Sequence, residues 1–166
     1  MLLKPHIKLD RITEITPELL KKHGITALIL DVDNTLSTHH GTKIVEGFEE
    51  WKKKITDSGI KLTVLSNSLK HRIEPFAKRI KLPFISSGVK PLPFGFFRAA
   101  KRMDVKRKHS AIVGDQIFTD VLGGNLSGVK TILLTPIKPE KQLRFRIKRK
   151  LERIVFKIHN IKKTEM

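Results

Sequence analysis

Short apolar runs alternate along this chain with segments whose apolar residues recur at the spacing of one helix face. This alternation restricts the fold more than any other feature. The apolar runs predict five strands, at residues 26–31, 60–65, 82–86, 110–114 and 130–134. Strands that alternate with helices favour a parallel sheet covered on both faces. We therefore expect an α/β fold, a three-layer α/β/α sandwich around a five-stranded, mostly parallel sheet.

Local residue types predict several helix boundaries. Thr16 followed by Pro17 is typical of a helix start, with threonine as the N-cap and proline at the first helical position. The stretch 66–68, Ser-Asn-Ser, is expected to cap a later helix. Apolar residues at helical spacing predict two further helices, one through Ile44, Phe48, Trp51 and Ile55 and one through Phe94, Phe97, Ala100 and Met103. Residues 1–15 are left unassigned.

The first predicted strand ends in two acidic residues, Asp31 and Asp33. Open α/β sheets bind ligands at the carboxyl ends of their strands, so both carboxylates can face one site with a backbone carbonyl between them. Such a pair suits a hard cation and a phosphate, with one carboxylate to attack phosphorus and one to move a proton. The alternative is an acidic turn after a strand, and this stretch alone leaves both interpretations open.

Size and composition fit a single globular domain. The chain has 166 residues, of which 39% are hydrophobic and 30% charged. No apolar run approaches the roughly 20 residues that span a bilayer, and the first residues turn polar too soon for a signal peptide. Cysteine is absent, which excludes disulfides and thiolate metal sites and fits a reducing compartment. We expect a cytoplasmic protein.

The chain is strongly basic, with 34 Lys and Arg against 16 Asp and Glu, for a net charge of +18. This balance favours a polyanionic neighbour, which could be nucleic acid, an anionic membrane surface or a phosphorylated substrate. Residues 137–166 carry eleven Lys and Arg and three Glu, so +8 of the charge, and the other residues carry +10. We divide the chain accordingly into a domain at 1–136 and an appended basic segment at 137–166.

From Glu140 onward the chain reads as a basic amphipathic helix. Its apolar residues follow helical spacing on one stripe, at Leu143, Ile147, Leu151, Ile154, Val155, Ile158 and Ile161. The basic residues fall roughly opposite, at Arg146, Arg149, Lys150, Arg153 and Lys157. Such a stripe either docks on the helical layer of the domain or lies in an anionic membrane interface, and the sequence supports both equally.

Four sites follow one another along the chain, each just after a strand or at a helix start. They are Asp31 with Asp33, Ser66 with Asn67, Lys90, and Asp115 with Asp120. Their order and spacing over residues 26–136 resemble the motifs of the haloacid dehalogenase (HAD) superfamily of phosphohydrolases. Lys90-Pro91 and the glycine-rich stretch 123–128 are most similar to the YqeG-like branch of subfamily IIIA, a branch that resembles phosphatidylglycerophosphate phosphatases.

The resemblance implies a HAD-like Rossmannoid fold and a role for each motif residue. Asp31 would be the nucleophile that forms an aspartyl-phosphate, and Asp33 the general acid and base. Ser66 and the backbone N–H of Asn67 would hold phosphate oxygens. Lys90 would place a positive charge beside the nucleophile and the transferring phosphoryl group.

The resemblance also implies a Mg²⁺ site made by Asp31, the Asp33 carbonyl and Asp115, with Asp120 supporting it. The carboxylates of Asp31, Asp33 and Asp115 would repel one another strongly without a cation, which also favours a metal on electrostatic grounds. Each residue also has an ordinary structural interpretation, because a lone Ser66 is often an N-cap and a lone Asp120 a first-turn helix acid.

Three histidines are candidates that the resemblance does not require. His39 and His40 follow the first motif, and His71 lies near the start of the helix after Ser66. We expect the first two to be a solvated loop pair and His71 to be exposed.

The segments between the motifs are short, so no cap domain is expected and the site should be open. An open site suits a phosphate carried on something large. The leading hypothesis is a Mg²⁺-dependent phosphatidylglycerophosphate phosphatase that acts as a peripheral protein at an anionic membrane. The alternatives are a HAD phosphatase acting on a nucleotide or nucleic-acid phosphate, and a non-catalytic basic nucleic-acid-binding module. The scarcity of aromatic residues and the absence of tyrosine count against base stacking.

Overall fold

The fold is a six-stranded, all-parallel sheet in the order β1-β6-β5-β2-β3-β4. It is seen in a computed structural model that describes residues 1–38, 43–138 and 143–164. The strands are β1 Ile7–Lys8, β2 Ala27–Leu30, β3 Lys61–Leu65, β4 Phe84–Ile85, β5 Ser110–Gly114 and β6 Lys130–Leu133. The prediction of five strands was wrong by one, because β1 is a two-residue edge strand too short to show any periodicity.

Helices and helical turns join the strands. The helices are α1 Pro17–Lys22, α2 Phe48–Asp57, α3 Lys70–Arg79, α4 Phe94–Arg102, α5 Leu122–Ser127 and α6 Leu143–Ile158. Two short 3₁₀ turns lie at Ile12–Glu14 and Arg107–His109, and a π-helical turn at Ile117–Val121 leads into α5.

The two faces of β2 pack against different helices, which gives the predicted three layers. Leu28 and Leu30 belong to the larger apolar cluster, formed with α1, α2 and α3. Ala27 and Ile29 point to the other face, where Phe96 of α4 is fully buried. Because both faces are covered, all four residues of β2 are apolar and buried, as expected for a central strand of a parallel sheet.

The first helix starts as predicted. The hydroxyl of Thr16 accepts a hydrogen bond of 3.1 Å from the N–H of Leu19, and Pro17 opens α1. Helix α2 begins at Phe48 rather than Ile44, because Gly47 adopts a left-handed conformation with φ 76° directly before it. Ile44 pairs instead with Ser37 in an isolated bridge.

Two other helix predictions need correction. The stretch at 66–68 does not cap α3, since Leu69 occupies the N-cap position and the Ser66 hydroxyl accepts a 3.1 Å hydrogen bond from the N–H of Ser68. In α4 the buried aromatic residue is Phe96, whereas Phe94 and Phe97 are exposed. The predicted face is therefore right at its C-terminal end, where Ala100 and Met103 are buried, and wrong at Phe94 and Phe97.

Helix α6 packs on the domain through only part of its predicted apolar stripe. Val155 is buried with Ile117, Val121 and Leu133. Four other members of the stripe are about half exposed or more, namely Ile147, Leu151, Ile154 and Ile158. In the described ranges, no helix has the length and apolar content to cross a membrane.

The chain then returns to the edge of the sheet. Thr164 hydrogen-bonds the backbone of Lys8 twice, through its hydroxyl at 2.9 Å and its N–H at 2.7 Å. Lys163 pairs with Asp10 at 2.7 Å and with Glu14 at 2.9 Å. The segment after α6 is thus held against the beginning of the chain.

Candidate active site

The predicted site residues follow three neighbouring strands. Asp31 follows β2, Ser66 follows β3 and Asp115 follows β5, and these strands lie side by side in the order β5-β2-β3. Because the strands are parallel, all three residues lie at the carboxyl ends of the strands, on the same side of the molecule. The carboxyl ends of the strands are where open α/β sheets bind their ligands.

Lys90 lies between two buried carboxylates. Its Nζ is 2.5 Å from Asp31 Oδ1 and 2.7 Å from Asp120 Oδ1. Asn67 holds the Lys90 backbone on both sides, accepting from its N–H at 2.6 Å and donating to its carbonyl at 3.1 Å. These contacts bring Asn67 and Lys90 together, whereas the Ser66 hydroxyl accepts from the N–H of Ser68.

Burial and mutual charge shift the pKa values of this group. Burial raises the pKa of Asp31 to about 7, against the pull of the Lys90 charge. Burial also acts to lower the pKa of Lys90, but the charges of Asp120 and Asp31 outweigh it and raise that pKa above its usual value. The lysine is thus held as a cation, while its charge only partly offsets the effect of burial on the pKa of Asp31.

Three carboxylates form a cluster suited to a metal ion. One oxygen from each of Asp31, Asp115 and Asp120 lies within 4.8 Å of the others. Asp115 Oδ1 is buried and has no hydrogen-bond partner among the described residues, and burial raises the pKa of Asp115 well above its usual value. An orphaned buried oxygen among other carboxylates fits a hard, oxygen-preferring cation such as Mg²⁺.

Gly114 makes the close approach of Asp120 possible. A Cβ at this position would lie 2.3 Å from Asp120 Cγ, which no side chain tolerates. Asp120 Oδ2 in turn accepts a hydrogen bond of 3.2 Å from the N–H of Gln116. Asp120 is thus fixed on the cluster by the backbone of the loop that carries Asp115.

Asp33 is oriented differently from the cluster. Both of its oxygens pair with the guanidinium of Arg72 on α3, at 3.0 Å for Oδ2 and more closely for Oδ1. The same guanidinium also donates to the Ser68 hydroxyl. The charge of Asp33 still contributes to raising the pKa of Asp31, after burial and the charge of Asp120, so it lies near the cluster without belonging to it.

Helix α6 also reaches the site. Arg149 pairs with Asp115 Oδ2 and donates to the Asp115 carbonyl at 2.8 Å. Arg149 also donates to Glu152 Oε2 at 2.8 Å, and Glu152 Oε1 accepts from the N–H of Ile117 at 2.8 Å. The helix is therefore attached to the loop that follows β5.

Sequence reasoning missed three residues at this site, Arg72, Arg149 and Glu152. Arg72 lies one helical turn after Ser68, so its position beside the motif was a usable signal. Arg149 was predicted only as part of a basic face, and no local pattern connects residue 149 with residue 115. Of the histidine predictions, His71 is exposed as expected, and His39 and His40 lie outside the described residues.

The stretches between the motif residues hold no inserted domain in the described part of the chain. Helix α2 lies between the Asp33 loop and β3, and α3 with β4 lies between Ser66 and Lys90. The connections between these motif residues are therefore as short as the sequence indicated.

Comparison with known proteins gives consistent matches. A family model described as HAD-hydrolase-like matches residues 89–154, and one described as mitochondrial PGP phosphatase matches residues 1–81. The chain is 37% identical over 142 residues to the probable phosphatase YqeG of Bacillus subtilis, covering 86% of this chain and 83% of that protein.

Solved structures share the fold at low sequence identity. A 4-nitrophenylphosphatase from Thermotoga maritima has a TM-score of 0.59 at 11% identity, covering 74% of this chain and 89% of that one. A putative subfamily IIIA HAD hydrolase from Legionella pneumophila has a TM-score of 0.51 at 16% identity, covering 86% and 88%. The fold agrees with the motif order, and the YqeG match extends over most of both chains. The chain therefore belongs to the haloacid dehalogenase superfamily of phosphatases, in the group that includes YqeG.

Proposed function

We propose that this phosphatase is Mg²⁺-dependent, works through an aspartyl-phosphate on Asp31, and removes the terminal phosphate of phosphatidylglycerophosphate at an anionic membrane surface. The chemistry is supported mainly by the buried group of Asp31, Asp115 and Asp120 with Lys90 between two of them. Mg²⁺ would be held by Asp31, Asp115 and the Asp33 carbonyl, with Asp120 in support, and when bound it supplies positive charge to the attacking carboxylate and the phosphoryl oxygens.

In the first step, an Asp31 oxygen forms a bond to phosphorus while the bond from phosphorus to the leaving oxygen breaks. Asp33 gives the leaving oxygen a proton. Lys90 offsets the negative charge that develops, and Ser66 with the Asn67 N–H holds phosphoryl oxygens. In the second step, the oxygen of a water molecule forms a bond to phosphorus and the water gives a proton to Asp33. The bond between phosphorus and the Asp31 oxygen breaks, so inorganic phosphate leaves and the Asp31 carboxylate is restored.

The contact between Arg72 and Asp33 places a requirement on this mechanism. Both Asp33 oxygens face the guanidinium before substrate binds. One of them must turn toward the leaving oxygen to act as the acid. We expect the negatively charged substrate to draw Arg72 toward itself, which would loosen its hold on Asp33 as the phosphate enters.

The exposed apolar stripe of α6 supports the proposal that the substrate is a lipid at a membrane surface. Four apolar side chains, Ile147, Leu151, Ile154 and Ile158, face solvent on one side of the helix. Exposed basic residues flank them, namely Arg146, Lys150, Arg153 and Lys157. An apolar stripe beside a row of cations fits an anionic lipid interface, where each cation adds about 1 kcal/mol of attraction. The match to the PGP phosphatase family model is consistent with such a substrate.

A substrate panel tests the proposal. Wild type and Asp31→Asn are compared with Mg²⁺ on phosphatidylglycerophosphate in mixed micelles, a 5′-phosphorylated oligonucleotide and a phosphopeptide. We expect phosphate release from the lipid to be fastest and to disappear in Asp31→Asn. Preferred release from the oligonucleotide would support the nucleic-acid alternative instead, and activity that survives in Asp31→Asn would remove Asp31 as the nucleophile.

Vesicle binding tests the surface separately. The variant Leu151→Gln/Ile154→Gln should lose binding to vesicles rich in phosphatidylglycerol, and Lys150→Ser/Arg153→Ser should weaken it most at low salt. Lys81→Ser, at an exposed lysine outside α6, is the matched control. Equal binding of wild type to neutral and anionic vesicles would contradict the proposed surface.

A further inference from the structure

Arg149 points into the domain, as does its neighbour Lys148, whose Nζ donates to Gln116 Oε1. The other basic residues of α6 whose side chains are described are exposed, namely Arg146, Lys150, Arg153 and Lys157. The Arg149 side chain is 18% exposed and contacts two parts of one residue, the carbonyl and the carboxylate of Asp115. Glu152, buried three residues later on the same face, accepts from Arg149 at 2.8 Å and from the N–H of Ile117 at 2.8 Å. Two side chains of α6 thus contact the loop that carries Asp115, Arg149 at Asp115 itself and Glu152 at the N–H of Ile117.

The two oxygens of Asp115 have different surroundings. Oδ2 is paired with Arg149. Oδ1 is buried and has no hydrogen-bond partner among the described residues. The oxygen that Arg149 leaves open is therefore the one available to a cation held by the cluster of Asp31, Asp115 and Asp120.

We propose that Arg149 is a positioning residue for the metal site: it fixes the Asp115 carboxylate and main chain so that Oδ1 is presented to Mg²⁺, and α6 is thereby part of the metal site. This inference rests on the proposed Mg²⁺ dependence. Partners that orient a metal ligand from behind typically contribute 10–100-fold to metal affinity. Arginine suits this role because its planar fork can bind a carboxylate oxygen and a carbonyl oxygen together.

The opposite effect is physically conceivable, because a guanidinium near a cation site also repels the cation. The substitution Arg149→Lys separates the two effects. Lysine keeps the positive charge, and hence the repulsion, but its single ammonium cannot reproduce the planar fork that holds the carbonyl oxygen and Oδ2 of Asp115 together with Glu152. A loss of Mg²⁺ affinity in Arg149→Lys therefore reports on geometry rather than charge.

The experiment measures Mg²⁺ binding by titration calorimetry on the full chain without substrate. We expect Arg149→Lys to bind Mg²⁺ about tenfold more weakly than wild type. Glu152→Gln, which keeps an acceptor for the Ile117 N–H but removes the anionic partner of Arg149, should also bind more weakly. The matched control is Arg153→Lys, an exposed arginine on the same helix, which should bind as wild type does.

Circular dichroism confirms that each variant is folded, and Glu152→Gln decides the question if Arg149→Lys does not fold. Unchanged or tighter Mg²⁺ binding in a folded Arg149→Lys would overturn the positioning role. If wild type itself binds no Mg²⁺, the proposed metal dependence fails together with this inference. If wild type binds Mg²⁺ and the variants match it, the inference alone fails.

Discussion

Replacing Asp31 by asparagine should stabilise the metal-free protein increasingly as the pH rises. The pKa of an aspartate is ordinarily 3.8, and burial raises that of Asp31 to about 7. Between these values the unfolded chain has already lost the proton that the folded protein still holds. The free energy of unfolding of the wild type therefore falls as the pH rises through this range.

The size of the effect follows from the same values. A difference of about three pKa units corresponds to about 4 kcal/mol, and about 3 kcal/mol of it falls between about pH 4.5 and about pH 8. Asparagine has nearly the same shape as aspartate and does not titrate. The lost pairing with Lys90 changes the stability of Asp31→Asn at every pH, so the slope of the difference between variant and wild type is the diagnostic quantity. Removing the Asp31 charge also eases ionisation of Asp115, since that charge contributes to raising the pKa of Asp115 after burial.

The assay is urea denaturation in EDTA, followed by circular dichroism at several pH values. The variant's unfolding free energy minus that of wild type should rise by about 3 kcal/mol from about pH 4.5 to about pH 8. Asp57→Asn is the matched control: the Asp57 carboxylate is exposed, so its replacement removes no buried charge and the difference should not rise in the same way with pH. A difference that stays level or falls with pH would refute the claim that ionised Asp31 destabilises the metal-free fold.

Three further substitutions, one of them with a control variant, test the packing and charge of the fold. Lys90→Met should cost about 3–5 kcal/mol in urea denaturation at pH 8 with EDTA, because it leaves two buried carboxylates without their shared cation; a neutral result would contradict this. Gly114→Ala should lower the free energy of unfolding by about 1–3 kcal/mol in the same assay, since the added Cβ would collide with Asp120. Gly59→Ala is the control, because Gly59 has open space around it but a φ of 86°, so this substitution tests backbone strain without a collision. Trp51→Phe should cost about 1–3 kcal/mol by circular dichroism, because the Ile15 carbonyl loses a buried 2.9 Å hydrogen bond.

The sheet was largely predictable because its central strands are buried on both faces. Strand β2, for example, is entirely apolar and is followed at once by Asp31. The acidic residues could be placed at one edge because parallel strands all end on the same side. Strand β1 could not be found in this way, since two residues carry no period and their pairing depends on β6, far along the chain.

The orientation of α6 shows where sequence periodicity fails. Its apolar stripe left docking and membrane contact equally open, whereas the helix is held on the domain by Val155, by the ion pair of Arg149 with Asp115 and by the hydrogen bond of Glu152 to Ile117. These contacts join residues more than thirty positions apart, as the 34-residue separation of Arg149 and Asp115 illustrates. A charge that pairs with a distant loop has no local signature, so the sequence could not show which residues attach α6 to the domain.

The return of Thr164 onto Lys8 has a consequence for work with shortened chains. Strand β1 lies at the border of the sheet, and Thr164 occupies the outward N–H and C=O of Lys8. Removing residues 163–164 would uncover these peptide groups, which can then recruit a strand from a second molecule. Loss of activity after such a truncation could therefore result from aggregation as much as from an effect on catalysis. Point substitutions within α6 test the role of the helix without exposing this strand.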